Sequence, residues 1–569
     1  MKYTGAQIVI ECLIEQGVDT VFGYPGGAIL NIYDELYKNE KRLRHILTAH
    51  EQGASHAADG YARSTGKVGV VMATSGPGAT NLVTGIATAY MDSVPIVAIT
   101  CNVIAPLLGK DSFQEIDITG VTMPITKHNF IVRDVRKLAD TIREAFFIAK
   151  TGRPGPVLID IPKDVTAASC DYVCAEVSPD VQFAKRKASL HRIMKVYDIP
   201  DEKIDKLASL INSSQRPFIY AGGGVIIADA CEALKALAEK ARIPVSTSLM
   251  GKSAFPNTHA LSTGMIGMHG TKASNTAADA CDLLLAIGTR FSDRVTGDPK
   301  KFAGKAKIVQ IDVDPAEVNK NIAVADSLVG SIKDALSRLL PLVEKREASA
   351  WNAKIDEWKT EVPHERKQSG KLSPKAIFEY VNGRVSPDTI ITTEVGQHQM
   401  WTALFYRFEK PRTFLTSGGL GTMGFGTGAA IGAQFANPDT RVVHFAGDGS
   451  FRMNCNELAT ISHYGLPIII IIFNNGALGN VRQWQTLFYE KRYSATTLDF
   501  APDFVKLADA YGIAGFRAAS EAEFKKAFDA ALASGKPAVI DAVIDKDEMV
   551  LPMIPPGKSV DRIMMEIDL

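Results

Sequence analysis

The sequence predicts an α/β protein built from three doubly wound parallel-sheet domains. Short apolar segments such as residues 157–162 and 283–287 alternate with helical patterns, and they run into Gly, Pro, Ser or Thr. The 569-residue chain is long enough for three or four domains, and its 46% hydrophobic residues can supply a core to each. Because 63 Lys and Arg balance 63 Asp and Glu, we expect small-molecule or protein partners and no nucleic acid.

Cysteine usage and the N-terminus predict a cytoplasmic protein. The seven cysteines are widely spaced without a C-x-x-C pair, which is typical of reduced thiols. Gln7, Glu11 and Glu15 interrupt the first apolar stretch at helical spacing, so an amphipathic helix is expected there in place of a signal peptide. The strongly apolar run Ile468–Phe473 is too short for a bilayer and predicts a buried strand, so no membrane partner is expected.

Composition divides the chain into three domains and two linkers. The predicted boundaries are 1–177 for the first domain, 178–202 for a linker, 203–343 for the central domain, 344–372 for a charged linker and 373–569 for the third domain. In doubly wound sheets, ligands bind beyond the carboxyl ends of the strands. The residues that follow each apolar segment are therefore the candidates for function.

The strongest local motif is "GDGS" at Gly447–Ser450, followed by "NN" at 474–475. The helix and strand between them place Asp448 and Asn475 at the same edge of neighbouring strands, where both can bind one Mg²⁺ together with the backbone carbonyl of Ala477. Gly447 and Gly449 allow close approach of phosphates, and Ser450 supplies donors at the next helix. Alone, "GDG" is equally typical of an Asp-capped turn. The later Asn pair favours a metal and diphosphate site.

A second glycine motif offers an alternative. "GLGTMG" at Gly419–Gly424 fits the G-x-G-x-x-G pattern of nicotinamide dinucleotide sites, with Asp448 at about the distance of a ribose-binding acid. We disfavour this alternative because Asp448 lies within a glycine turn. The dinucleotide pattern also leaves the Asn pair without a role.

Glu51 is the candidate proton-transferring residue. It follows the apolar segment "LRHILTA" and begins a helical pattern, so it places a carboxyl group at the end of a strand. Burial favours the protonated form of a carboxyl group, as an acid catalyst needs. The alternative is a Glu stabilised by the helix macrodipole at the first turn.

With "GDGS", "NN", "HEQGA" and "TSGPGATN", the chain resembles thiamin-diphosphate (ThDP) enzymes. Over nearly its whole length, in "VFGYPGGAIL", "DSFQEID", "RFSDRVTG", "VGQHQMW" and "VRQWQTLFYEKRYS", it is similar to the acetohydroxyacid (acetolactate) synthase large catalytic subunits. The resemblance implies decarboxylation of pyruvate and transfer of a hydroxyethyl carbanion to pyruvate or 2-oxobutyrate, for branched-chain amino-acid biosynthesis. Another ThDP and FAD enzyme such as a pyruvate oxidase, or a non-catalytic paralogue, remains an alternative.

The resemblance also implies roles for residues of the active centre. Glu51 would shift the cofactor's aminopyrimidine to its imino tautomer, Trp484 would narrow the acceptor pocket and Arg294 would hold the carboxylate of the second 2-oxoacid. The other implied active-centre residues are Gly27, Phe113 and Gln114 near Glu51, Pro77 and Asn81 in the pyrimidine-binding domain, Gln397 and His398 at the diphosphate, and Gly421 and Met423 beneath the cofactor.

In the central domain the resemblance implies a structural FAD, and the strand-end "AGGG" at 221–224 is a weak independent indication. The implied FAD contacts are Arg153, Gly222, Gly223, Thr247, Leu249, Met268, His269, Gly288, Arg290, Asp312 and Val313. The chain departs from the family at Thr427–Gly428, where Leu-Pro is common, and at Asn480, where Met is common. These departures put the fine substrate preference in doubt.

The resemblance finally implies an assembly. Glu51 of one subunit would meet Asp448 and Asn475 of its neighbour. We therefore expect at least a homodimer, and the sequence does not distinguish a homodimer from a homotetramer. A small regulatory subunit is also expected.

Overall fold

The computed structural model describes residues 1–174, 197–363 and 371–567. It contains three six-stranded sheets in which every neighbouring pair of strands is parallel. The predicted fold class, three parallel-sheet α/β domains, is confirmed. Most of the predicted linker 178–202 and part of the second linker, at 364–370, lie outside the described residues.

The first domain has the strand order β3-β2-β4-β5-β7-β6, and β1 pairs with β8 in a separate antiparallel ribbon. Its strands are β1 Lys2–Thr4, β2 Thr20–Tyr24, β3 Arg44–Leu47, β4 Gly69–Ala73, β5 Ile96–Asn102, β6 His128–Ile131, β7 Val157–Pro162 and β8 Ser169–Asp171. Its α-helices are Gly5–Glu15, Leu30–Lys38, Glu51–Thr65, Pro77–Asn81, Val83–Asp92, Ile118–Thr122, Leu138–Lys150 and Lys163–Ala167.

The central domain has the order β11-β10-β9-β12-β13-β14. Its strands are β9 Pro217–Ala221, β10 Val245–Thr247, β11 Ser262–Met265, β12 Leu283–Ile287, β13 Lys307–Asp312 and β14 Asp326–Val329. Its helices are Asp201–Ser213, Gly223–Ile227, Cys231–Ala241, Lys272–Ala280, Asp293–Thr296, Ile332–Leu342 and Ala350–Lys359. The last helix packs on this domain, because Trp351 is buried and its indole nitrogen donates to the Pro217 carbonyl at 3.0 Å.

The third domain has the order β16-β15-β17-β18-β20-β19. Its strands are β15 Ile390–Thr393, β16 Phe414–Leu415, β17 Val442–Gly447, β18 Ile469–Asn474, β19 Ala514–Ala518 and β20 Ala538–Val543. Its helices are Pro374–Asn382, Gln397–Phe405, Phe425–Ala436, Asp448–Phe451, Leu458–His463, Gly479–Phe488, Phe504–Ala510 and Glu521–Ser534. The apolar β18 is central and buried on both faces, as a covered parallel sheet requires.

The first and third domains meet through two helices, Glu51–Thr65 and Phe425–Ala436. Small residues let the backbones approach closely: a Cβ atom at Gly432 would lie 1.8 Å from the Ala57 carbonyl oxygen. Gly428, one of the family departures, lies in the same contact beside His56. The crossing joins the helix that begins at Glu51 to the helix that follows the glycine motif Gly419–Gly424. No helix within the described residues is long and apolar enough to cross a membrane.

Candidate active site

Asp448 and Asn475 follow neighbouring strands of the third sheet, as the sequence predicts. Strand β17 pairs in parallel with β18, so both residues lie at the same carboxyl edge. Asp448 is buried, and its Oδ2 atom has no hydrogen-bond partner. Burial raises the pKa of this carboxyl group to about 7. Asn475 donates from Nδ2 to Gln397 Oε1 at 3.2 Å, and its Oδ1 accepts from the Ala477 N–H at 3.2 Å.

This edge fits a hard divalent cation. A buried carboxylate oxygen without a donor is costly unless a positive charge approaches it, and amide and backbone oxygens complete the ligand set that Mg²⁺ prefers. The turn at Gly476 brings Ala477 beside Asn475. All three predicted metal ligands therefore lie together. Gly447, Gly449 and Ser450 belong to the same turn, where Ser450 donates to the Gly447 carbonyl at 3.3 Å.

Gln397 and His398 begin the helix Gln397–Phe405 and face the same edge. Gln397 Nε2 donates to Gln483 Oε1 at 3.0 Å and to the Glu548 carbonyl at 2.8 Å, so its amide is fixed. His398 is buried, its Nε2 has no partner, and burial lowers its pKa to about 3. The Nδ1 side of the ring lies beside Gly447, and a neutral imidazole whose Nε2 has no partner is suited to a polar ligand.

The glycine loop, defined as Ser417–Gly426, is held at its carboxyl end by Glu394, a residue that the sequence analysis missed. Glu394 is fully buried after strand β15, and its carboxylate accepts from the backbone N–H groups of Gly424, Gly426 and Thr427 at 2.5, 2.9 and 3.2 Å. Burial raises the pKa of Glu394 to about 7 against these donors. The half-buried Met423 is thereby fixed in place.

The other end of the glycine loop is held by the first domain. Asp92 accepts from the N–H groups of Gly418 and Gly419 at 3.1 and 2.7 Å and pairs with Arg63 at 3.0 Å. Its position at the end of a helix gave no sequence signal. Gly421, between the two carboxylates, has φ +72°, a left-handed conformation that glycine adopts without strain.

Thr427, the other departure from the family, has polar partners in this chain. Its hydroxyl lies 3.4 Å from Glu394 Oε1 and 3.5 Å from Nε2 of the buried His444. His444 also lies 2.9 Å from the Thr392 hydroxyl. A threonine is accommodated here because a hydroxyl completes this buried network.

Glu51 begins the helix Glu51–Thr65 and is largely buried, with 8% of its surface exposed. Asn81 donates from Nδ2 to Glu51 Oε2 at 2.9 Å, and Oε1 lies beside Gly78. The helix begins here because the His50 side chain accepts from the Gln52 N–H. Two predicted residues, Glu51 and Asn81, are therefore in direct contact.

The other predicted residues of the first domain surround the turn 74–78. Pro77 starts a short helix in this turn, and the Gln114 backbone packs beside Gly76. The segment that contains Gly27 reaches the same turn through the Ala28 N–H, which donates to Thr74 Oγ1 at 3.3 Å. Phe113 is 88% exposed and points away from the core of its own domain.

The central domain borders a cavity of about 1150 Å³. Every predicted FAD contact except Thr247 lines it, namely Arg153, Gly222, Gly223, Leu249, Met268, His269, Gly288, Arg290, Asp312 and Val313. Thr247 is buried on strand β10. The turns at Gly222 and Gly288 are in close contact, since a Cβ atom at Gly222 would lie 2.1 Å from the Gly288 carbonyl oxygen. A mostly apolar cavity of this size with Arg153, Arg290 and Asp312 in its lining fits a dinucleotide.

Arg294, Trp484, Gly421 and Asn480 line the same cavity, so it extends from the central domain to the third. The Arg294 guanidinium lies 5.8 Å from the centre of the Trp484 ring, and it pairs with Asp293 at 3.4 Å near the surface. The lining includes neither Glu51 nor Asp448. Within one chain, the predicted proton-transferring residue and the predicted metal ligand therefore do not share this cavity.

The chain matches three family models for thiamine pyrophosphate enzymes. The N-terminal TPP-binding domain matches residues 3–121, the central domain 204–339 and the C-terminal TPP-binding domain 394–542. Each matched segment falls within a different one of the three sheet domains. The class of protein is therefore a thiamine pyrophosphate enzyme.

Curated relatives are similar to the chain from end to end. A probable acetolactate synthase large subunit of Methanocaldococcus jannaschii is 49% identical over 99% of this chain and 95% of its own length. The acetolactate synthase large subunit of Parasynechococcus marenigrum is 47% identical over 98% of this chain and 90% of its own length. The acetolactate synthase large subunit IlvB1 of Mycobacterium tuberculosis is 47% identical over 99% of this chain and 91% of its own length. The chain belongs to the acetolactate synthase large-subunit family.

Proposed function

We propose that the chain is the catalytic subunit of an acetolactate synthase. Pyruvate loses CO₂, and its remaining two-carbon unit is joined to the carbonyl carbon of pyruvate or 2-oxobutyrate, which gives 2-acetolactate or 2-aceto-2-hydroxybutyrate. The observation that carries this proposal is a buried Glu51, hydrogen-bonded to Asn81, in a chain that also holds the Asp448 edge and matches acetolactate synthases over its full length.

Thiamine diphosphate, when bound, supplies the electron sink for decarboxylation. Gln397, His398 and the turn Gly447–Ser450 would hold its diphosphate, and Asp448, Asn475 and the carbonyl of Ala477 would hold a Mg²⁺. The orphaned Asp448 Oδ2 supports the metal, and the fixed glycine loop supports Gly421 and Met423 as the residues beneath the cofactor. Glu51 holds and transfers the proton at the aminopyrimidine.

A second copy of the chain completes this site in our proposal. Phe113 is 88% exposed and Met123 69% exposed on the first domain, while Met453 and Phe500 are 55% and 70% exposed on the third. Large apolar side chains at these levels of exposure are typical of surfaces that become buried in a complex. They favour a contact in which the Glu51 side of one copy covers the Asp448 edge of the other. The homodimer is the minimum assembly, and a tetramer of two such pairs is equally compatible.

The large cavity is assigned to FAD, which serves a structural role because the reaction transfers no net electrons. Arg294 and Trp484, at its end in the third domain, are placed to bind the carboxylate of the acceptor 2-oxoacid and to limit its size. We also propose a smaller regulatory partner, since the curated relatives are named large subunits.

The test is product analysis with pyruvate and 2-oxobutyrate in competition, with and without thiamine diphosphate, Mg²⁺ and FAD. We expect both acetohydroxyacids, only when thiamine diphosphate and Mg²⁺ are present. Flavin bleaching in proportion to turnover would instead favour a pyruvate-oxidising enzyme. Absence of any product would contradict the proposal.

A further inference from the structure

A buried carboxylate of the third domain holds the backbone that leads into Glu51. Glu457 is fully buried, 408 residues along the chain from its partner Ala49. Its Oε2 accepts from the Ala49 N–H at 3.2 Å, and its Oε1 accepts from the His50 N–H at 3.1 Å. The Thr460 hydroxyl donates to Oε2 at 2.7 Å and fixes the orientation of the carboxylate.

Residues of both domains form the contact around Glu457. A Cβ atom at Gly53 would lie 2.0 Å from Glu457 Oε1, so only glycine at this position leaves room for the carboxylate. Leu47, at the end of strand β3, donates to the hydroxyl of Tyr464, another side chain of the third domain, at 2.9 Å. Three backbone donors within four residues before Glu51 therefore depend on acceptors from the third domain.

We infer that Glu457 is a positioning residue for Glu51, and this inference rests on the proposed function. The backbone N–H groups before a helix have no partner within that helix, and losing their acceptor frees the chain at its first turn. Glu51 is the first residue of that helix, and its carboxyl group must be placed to within a fraction of an ångström to transfer a proton. The proposed reaction assigns no other role to Glu457.

The inference has a specific consequence in a dimer. Glu457 lies in the third domain, nine positions after Asp448, but it acts on the Glu51 of its own chain. Asp448 serves one centre of the dimer, and Glu457, through Glu51, serves the other. In dimers mixed from two different variants, a variant of Glu457 should therefore impair the same active centre as a variant of Glu51 in the same chain.

The first measurement uses Glu457→Gln, which keeps the shape of the side chain. Whichever way the amide is oriented, its NH₂ group faces a backbone donor, so one of the Ala49 and His50 N–H groups loses its acceptor. We expect faster hydrogen exchange at residues 49–53 of the chain without cofactors. In the holoenzyme we expect kcat to fall about 10- to 100-fold at a nearly unchanged KM for pyruvate.

Asp282→Asn is the matched control. Like Glu457, Asp282 accepts from two backbone N–H groups, those of Gln215 and Arg216, and from a hydroxyl, that of Ser214. It precedes strand β12 of the central domain, at the amino end of the strand, whereas the proposed ligand sites lie at the carboxyl ends. This variant should lose stability and keep its kcat. Gly53→Ala should lower kcat in the same way as Glu457→Gln, and the double variant should lose little more than the worse single variant.

Mixing experiments give the decisive result. Glu457→Gln chains mixed with Asp448→Asn chains should regain activity, because one centre of each mixed dimer is intact. Glu457→Gln chains mixed with Glu51→Gln chains should not. Recovery of activity with Glu51→Gln chains but not with Asp448→Asn chains would overturn the inference. Unchanged hydrogen exchange at residues 49–53 together with an unchanged kcat would also overturn it. Exchange in the cofactor-free chain does not depend on turnover, so failure of the wild-type enzyme to form acetolactate would count against the proposed function alone.

Discussion

The central cavity and the Glu51 region differ in how complete they are within one chain. The cavity is lined by residues of a single chain, and it brings together residues from Arg153 to Trp484. Glu51 and Asp448, in contrast, lie at the edges of different sheets outside that cavity, and apolar side chains such as Phe113 are exposed near Glu51. Under the proposed function, one chain would therefore supply the flavin site, whereas two chains would be needed for the thiamine site.

Reciprocal contacts between the first and third domains add to this comparison. Asp92 of the first domain holds Gly418 and Gly419 of the glycine loop, and Glu457 of the third domain holds Ala49 and His50. Each domain therefore fixes a segment of the other that the proposed function assigns to the active centre. Because those segments are proposed to serve different centres of the dimer, the contact between the domains supports both centres at once.

The largest expected effect comes from Glu51→Gln, which should lower kcat by about 10²- to 10⁴-fold, since general acid–base catalysis contributes about that much. Binding of thiamine diphosphate, followed by titration calorimetry, should be nearly unchanged. Equal mixtures with Asp448→Asn chains should regain about a quarter of wild-type activity, because half of the dimers are mixed and each has one intact centre. A mixture that stays inactive would place both residues in a single-chain site.

The second-largest effect is expected from Asp448→Asn. The neutral amide removes the negative charge from the proposed ligand set, so the Mg²⁺ concentration for half-maximal activity should rise by at least about 100-fold. Flavin absorbance per chain should stay at the wild-type level, because Asp448 does not line the cavity. Loss of flavin together with the metal would contradict the separation of the two sites.

The sequence predicted that Asp448 and Asn475 follow neighbouring strands, but it did not predict the carboxylates that hold the glycine loop and the segment before Glu51, for a physical reason. Parallel strands that follow one another through a helix end at the same edge, so "GDGS" and "NN" place their side chains together by local pattern. Glu394, Asp92 and Glu457 accept from backbone groups that are 30, 326 and 408 residues away in the chain. The contact of Glu394 depends on the tertiary fold of the third domain, and those of Asp92 and Glu457 depend on the packing of the first domain against the third.

A smaller effect is expected at the single-chain site. Gly222→Ala places a methyl group 2.1 Å from the Gly288 carbonyl oxygen, so the two turns must separate at a cost of about 1–3 kcal/mol. The Kd for FAD should rise about tenfold, measured by flavin fluorescence, and the Kd for thiamine diphosphate much less. Ala228→Gly, a change in the same cavity wall that adds no atoms, is the control. An equal loss of both cofactors would mean that the two sites depend on each other.

The smallest effect is expected where the two regions meet, at Trp484. Replacing its indole with leucine enlarges the end of the cavity in the third domain and removes the ring that lies 5.8 Å from the Arg294 guanidinium. Because a pocket discriminates against an added methylene by about 1–3 kcal/mol, the preference between 2-oxobutyrate and pyruvate as acceptor should change by about tenfold. Decarboxylation of pyruvate should change less than the product ratio, since Trp484 is assigned to the acceptor 2-oxoacid and not to thiamine diphosphate. An unchanged product ratio from competing acceptors would remove Trp484 from the acceptor pocket and leave it a wall of the flavin cavity.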